Sequence, residues 1–287
     1  MLRFEKYQGT GNDFVIFEMS ELDGLQHSLL AQKVCNRRFG IGADGMIVVA
    51  PSKVATMQMI FYNADGSIAT MCGNGIRCFA KYVTDHELVK TKVFTVETLA
   101  GILTLEIIES DDLTSLVRVN MGSAIYQHES VPLPGDGDKF INQMLEVDGV
   151  PYTVSSLFMG TIHTVLFMDN IDEEAAARIG AAIENHPLYP NKTNVNLCKV
   201  VDSKNIDVLT WEKGVGITLA CGTGSAACAL LSQDLYDCET SVTVHVKGGN
   251  LLMERVGEEI YMTGPATLIC KGQYLYNYYS WSFYQKD

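Results

Sequence analysis

Apolar residues in this chain fall into two periods, alternating and helical, and the two follow one another in the same order twice. Residues 12–18 (NDFVIFE) come after the turn Gly9-Thr10-Gly11 and are rich in β-branched and aromatic side chains, which predicts a strand. A short helix is expected over 29–36, a glycine-punctuated loop over 38–44, and strands over 46–50 and 57–63. The turn Asn63-Ala64-Asp65-Gly66 stops the last of these. The segment CGNG at 72–75 then opens a helix expected to run to about Asp85. Strands at 94–99 and 102–107 form a hairpin about Ala100-Gly101, and 115–119 is a further strand.

After loop signals at 121–123 and 132–138 the pattern restarts. Gly160-Thr161 precedes a strand at 164–168, and 171–184 reads as a helix with Asp169 or Asn170 as its cap. A strand at 208–212 leads to Cys221, whose helix should reach about Gln233. A hairpin about Gly248-Gly249 joins 241–246 to 250–256, and Tyr261-Met262-Thr263-Gly264 echoes Val119-Asn120-Met121-Gly122. The spacings match: Gly9 to Cys72 is 63 residues and Gly160 to Cys221 is 61. Asn63 and Glu212 each lie nine before their cysteine, and the hairpin glycines Gly101 and Gly249 lie 29 and 28 after. Agreement of this kind, in one order, implies duplicated halves. The expected division is a first domain of residues 1–119 plus 268–287 and a second of 120–267. The strand-like stretch 268–284, with no counterpart after the first half, is expected to return onto the first domain. A cleft between the two is a natural ligand site.

Composition narrows the function. The hydrophobic fraction is 47% and the charged fraction 19%, as in a globular protein, and the net charge of −13 argues against nucleic acid and anionic membrane surfaces. No secretory signal pattern opens the chain and no apolar run approaches the roughly 18 residues of a membrane span, so the expected compartment is the cytoplasm. Of the eight cysteines none forms a CxxC pair or has a histidine at metal-ligand spacing, so neither a disulfide framework nor zinc is expected. Most should be buried small hydrophobes, Cys78 and Cys228 among them.

Cys72 and Cys221 need a different account. A thiol at a helix N-terminus is favoured as thiolate by free backbone N–H groups and the helix dipole, and those groups also bind carboxylates. Glycines at 73, 75, 222 and 224 allow a ligand close to the backbone. Two such motifs facing one another would bracket a carbon that bears a carboxylate, taking a proton from one side and returning it on the other. A single CGxG reads as a buried cysteine beside a turn; doubled at repeat-equivalent positions, it reads as a pair of bases. His163 sits where Asn12 sits in the other half and Glu212 where Asn63 sits, so both are candidates for tuning the thiols. Arg77 reads as structural and Asp111-Asp112 as a solvated stretch.

With these residues assembled, the chain resembles the diaminopimelate epimerases over nearly its whole length. The likeness is carried by GTGNDFVIF, RFGIGADG, YNADGSIATMCGNGIRCFA, VNMG, MGTIH, TNVN, WEKGVGITLACGTGSAACA and MTGPA. It implies an α+β fold (α/β in some schemes) of two pseudo-symmetric domains, each a curled, mostly antiparallel sheet around a central helix, usually as a homodimer. It implies catalysis without pyridoxal phosphate, metal or nucleotide. By the resemblance Cys72 and Cys221 are the acid/base pair, assisted by His163 and Glu212. Gly73-Asn74 and Gly222-Thr223 hold the reacting carboxylate, while Asn12, Asn63, Asn196 and the residue after Glu212 bind the rest of an amino-acid substrate. Three positions depart from the family pattern: Lys213 stands for arginine, Thr161-Ile162 for Asn-Pro, and Ile217 for glutamate. Lysine lacks the planar fork that grips a carboxylate. The expected reaction is interconversion of LL- and meso-diaminopimelate. A racemase for another amino acid such as histidine, and a silent amino-acid-binding relative, are the alternatives.

Overall fold

The computed structural model describes residues 1–127 and 139–276. The loop signals at 132–138, and the part of 268–284 beyond 276, lie outside them. The first half runs β1 (Leu2–Gly9), β2 (Asn12–Glu18), α1 (His27–Cys35), β3 (Gly45–Ala50), β4 (Met57–Asn63) and β5 (Ile68–Ala69), then α2 (Gly73–Asp85), β6 (Val93–Thr98), β7 (Gly101–Ser110) and β8 (Thr114–Ser123). The second runs β9 (Phe140–Val147), β10 (Val150–Phe158), β11 (Ile162–Phe167), α3 (Glu173–Glu184), β12 (Asn194–Asp202), β13 (Asn205–Glu212) and β14 (Gly216–Ile217). It ends with α4 (Gly222–Leu235), β15 (Ser241–Val246), β16 (Gly249–Val256) and β17 (Glu259–Tyr274).

Strand pairing closes a ring of eight strands in the first half, β1-β2-β3-β4-β6-β7-β8-β17 and back to β1. In the second half β10-β11-β12-β13-β15-β16-β17-β8 repeats the order, and the chain just after β8 bridges back to β10 at Ile125–Phe158. The return of β17 onto β1 therefore has a short counterpart after the first half, which the sequence does not disclose. Pairs β2–β3, β4–β6, β11–β12 and β13–β15 are parallel and the others antiparallel, giving a mixed α+β fold.

One long helix fills each ring. The apolar cluster between α2 and α4 takes Phe14 and Ile16 of β2 and Ile47 and Val49 of β3, while the alternate residues Val15, Phe17, Met46 and Val48 face outward onto α1. Both faces of these strands are covered, which is why NDFVIFE reads as a continuous apolar run. On the second half α3 covers Val195 and Leu197 in the same way. α4 is buried from Gly224 to Ser232, so its alanine-rich sequence has no polar face.

Three strands escape the sequence pattern. In β1 the buried Glu5 interrupts the apolar alternation; it is tolerated because Tyr7, His86 and Lys271 bond its carboxylate. In the β9–β10 hairpin about Asp148-Gly149, buried Ser155 and Ser156 occupy core positions, Ser156 bonded to Thr164 and Tyr189. The cap of α3 is Asp172, not Asp169 or Asn170: its Oδ1 accepts the Ala175 N–H at 2.7 Å, the geometry that an N-cap requires.

Candidate active site

Cys72 and Cys221 are the N-cap residues of α2 and α4, both with extended backbone. Glycine follows each for a packing reason. A Cβ at Gly73 would lie 3.2 Å from Met262 Cε and 3.7 Å from the Gly222 Cα, and one at Gly222 would lie 3.1 Å from Met262 Sδ. One methionine of β17 thus underlies both helix starts, and the two backbones meet over it. Gly224 is required as well, since a Cβ there would sit 2.3 Å from Asn196 Oδ1.

The two helix starts open into one cleft of about 590 Å³. Its wall includes Asn12, Asn63, Cys72, Gly73 and Asn74 from the first half, and Glu212, Cys221, Gly222 and Thr223 from the second. Cys72 Sγ accepts the Gly75 N–H at 3.4 Å. Cys221 Sγ lies 3.5 Å from Thr223 Oγ1, and the Glu212 carboxylate on the same cleft wall accepts Thr218 Oγ1–H at 2.8 Å. Burial, with the Glu212 charge adding to it, pushes both thiols above the ordinary cysteine range, Cys221 to about 12. Burial likewise raises Glu212.

The other expected site residues are placed less directly. His163 is fully buried behind the wall, its Nε2 3.0 Å from Thr223 Oγ1 and its Nδ1 3.3 Å from Asn196 Nδ2. Asn196, also buried, is held by Thr210 and Thr164, so it reaches the cleft only through His163. Both polar assistants, Glu212 and His163, connect to Cys221. The side chain of Asn74 braces the halves, donating to Asn12 Oδ1 at 2.6 Å and the Ala220 carbonyl at 3.2 Å, which leaves its backbone facing the cleft. Asn12 donates in turn to Asp44 and Asn63 to Ser67. Thr161 and Lys213 do not line the cleft; Lys213 is exposed, and its backbone N–H is tied to Asn194 Oδ1.

Two charged residues of the wall are not among the expected site residues. Arg37 and Asp44 stand at the rim, 2.6 Å apart, and Arg37 also grips Asp13. The signal is the glycine loop at 38–44, RFGIGAD, which Arg37 precedes and Asp44 ends just before β3.

The sequence model of the family described as "Diaminopimelate epimerase" matches residues 4–127 and 155–269. The chain belongs to the diaminopimelate epimerase family. A relative of that name from Alkaliphilus metalliredigens (strain QYMF) is 46% identical over 276 residues, covering 96% of this chain and 98% of its own. Another, from Caldanaerobacter subterraneus subsp. tengcongensis, is 44% identical over 95% of this chain and 99% of its own. Among solved structures the fold is shared with a probable proline racemase from Agrobacterium radiobacter K84 (TM-score 0.70, 13% identity, 98% and 94% covered). It is shared too with a PhzF-family phenazine biosynthesis protein from Bacillus anthracis (TM-score 0.65, 15% identity, 94% and 98% covered). At such identities these show the architecture alone, while the two relatives above show the family.

Proposed function

We propose that this chain is a two-base epimerase that inverts one stereocentre of diaminopimelate, with Cys72 and Cys221 as the bases. The observation that carries the reading is the meeting of two helix N-caps, each a cysteine followed by glycine, in a single cleft of a chain of this family. One thiolate removes the α-proton, and the electron pair released spreads into the adjoining carboxylate. The opposite thiol gives its proton to the other face, so the proton inventory closes with the thiolate transferred. The N–H groups at Gly73-Asn74 and Gly222-Thr223 are aimed where that carboxylate gains charge. Asn12 and Asn63 on the cleft wall supply polar contacts for the distal amino-acid end, while Glu212 and His163 assist the thiols. The halves 1–119 plus 268–287 and 120–267 act as the two jaws. We further place the enzyme in the cytoplasm as a homodimer, to be checked by sedimentation.

Deuterium incorporation at the α-carbon of diaminopimelate tests the reading. Cys72→Ser and Cys221→Ser should each lower exchange by roughly 10²–10⁴-fold, the usual contribution of a positioned acid or base. Full activity in either variant would sink the mechanism. Lys213 gives a second reading specific support, because this exposed lysine stands outside the cleft wall where the family pattern has arginine. Exchange with another amino acid such as histidine, and none with diaminopimelate, would keep the mechanism and replace the substrate.

A further inference from the structure

Arg77, on the second turn of α2, is the largest fully buried side chain among the described residues. All of its hydrogen bonds end on neutral acceptors. One terminal nitrogen donates to Thr10 Oγ1 at 2.8 Å and Asn74 Oδ1 at 3.1 Å; the other donates to the Gly73 carbonyl at 3.0 Å and Met262 Sδ at 3.5 Å. Nε donates to the Pro265 carbonyl at 3.2 Å. Among the described residues no carboxylate pairs with it, and the ionisable groups that act on its charge are the thiols of Cys78 and Cys72. A buried cation without a counter-ion is costly to a fold. Space is nevertheless kept for it: a Cβ at Gly264 would lie 3.1 Å from Nε, and one at Gly9 3.3 Å from the nitrogen that bonds Thr10.

The other half of the site lacks this group. Five residues after Cys221, as Arg77 is five after Cys72, stands Ala226. No cation takes that place behind Cys221, and the charge that weighs most on it is the Glu212 carboxylate, which raises its thiol. Cys72 Sγ caps α2 by accepting from Gly75, whereas Cys221 makes no capping bond.

We propose that Arg77 decides the order in which the two thiols ionise, so that Cys72 carries the negative charge and Cys221 keeps the proton. The proposal rests on the two-thiol reading above. It gives the duplicated site a polarity that its matched motifs conceal, and it makes Arg77 a positioning residue that acts through the Cys72 sulfur. The groups facing that sulfur are Arg77 and Cys78 of α2, Glu212 of β13 and Cys221 of α4, with the Arg37–Asp44 pair at the rim. Burial and the Glu212 carboxylate raise both thiols, and donors oppose this at each: the Gly75 and Asn74 amides at Cys72, the Thr223 hydroxyl and Gly224 amide at Cys221. What the first thiol has besides is the Arg77 cation.

Alkylation by iodoacetamide across a pH series, read for each cysteine by peptide mass spectrometry, tests the order without relying on turnover. In the unsubstituted enzyme Cys72 is labelled before Cys221. In Arg77→Met, Cys72 labelling at neutral pH falls roughly tenfold or more, a tenfold change for each unit by which the thiol rises. Arg77→Lys, which keeps the charge, restores most of it. In Glu212→Gln, where the charge beside Cys221 is gone, Cys72 still labels first. Equal or inverted labelling in the unsubstituted enzyme overturns the proposal. So does an unchanged Cys72 profile in folded Arg77→Met, and so does loss of the order in Glu212→Gln, which decides the matter even if Arg77→Met fails to fold. Failure of the two-base reading shows separately, as activity retained in the serine variants.

Discussion

Between His163 and Cys221 stands Thr223, and the hydrogen bonds around it fix a direction. The Thr164 carbonyl can only accept, so the Asn196 nitrogen 3.3 Å from it donates, and the same nitrogen faces His163 Nδ1. His163 Nδ1 therefore accepts, its proton lies on Nε2, and Nε2–H donates to Thr223 Oγ1. The Thr223 hydroxyl proton is left free to turn toward Cys221 Sγ. A neutral imidazole fits its surroundings, since burial and the nearby Lys213 push its pKa down to about 3. The sign of the linkage follows. Between about 3 and the unfolded value of 6.5 the unfolded chain binds the extra proton, so the stabilisation is complete above pH 6.5 and is lost as pH falls. Each unit of acidification in that window should cost about 1.4 kcal/mol. Urea midpoints for the unsubstituted protein and His163→Gln check this; the same acid dependence in both would assign it to other groups. The sequence shows His163 as a polar residue on an apolar strand. That it connects to Cys221 through a threonine depends on β11, β12 and α4 coming together, which no local pattern encodes.

At the scale of elements, the legible parts were those whose apolar pattern is continuous. β2, β3, β4, α2, α4 and the two hairpins about Gly101 and Gly249 lie close to their expected places, because residues that must bury two faces or one stripe announce themselves. β1 and β10 carry buried polar groups satisfied from other elements, and three exposed residues in a row, Asn142–Met144, interrupt β9, so their alternation is broken. α3 shows how an element positions the site from outside it. Its Gly180 packs on Trp211, where a Cβ would come within 2.5 Å of Trp211 Cβ and Cγ. Its last residue, Glu184, bonds Trp211 Nε1 and the Gly214 N–H, pinning the turn that carries Glu212 and Lys213. Gly180→Ala should displace Trp211 and cost about 1–3 kcal/mol, the usual penalty for overpacking. It should also lower kcat through misplaced Glu212. Thermal melts and steady-state rates check the pair of effects; a variant as stable and active as the parent would refute the coupling.

For the whole molecule, two strands matter more than their lengths suggest. β8 and β17 pair with each other and each takes part in both rings, and the largest apolar cluster joins residues of α2 and α4. The two halves should therefore unfold together. Urea transitions followed by tryptophan fluorescence and by far-ultraviolet circular dichroism are expected to coincide, and separated midpoints would show two independent cores. Among the described residues no helix is long and apolar enough to cross a membrane. What the sequence determined by itself was local and repeated: the strand and helix periods, two cysteines each before a glycine at a helix start, and their matched spacing. These follow from short-range sterics and from which residues must be buried. Only the tertiary structure decided which groups meet. It set Gly73 and Gly222, the starts of the two helices, over one methionine, buried Arg77 against the first start with no counterpart at the second, and left Lys213 outside the cleft wall. Those pairings join residues far apart in the chain, and burial and charge act through space, so a matched pair of motifs became an unequal pair of thiols.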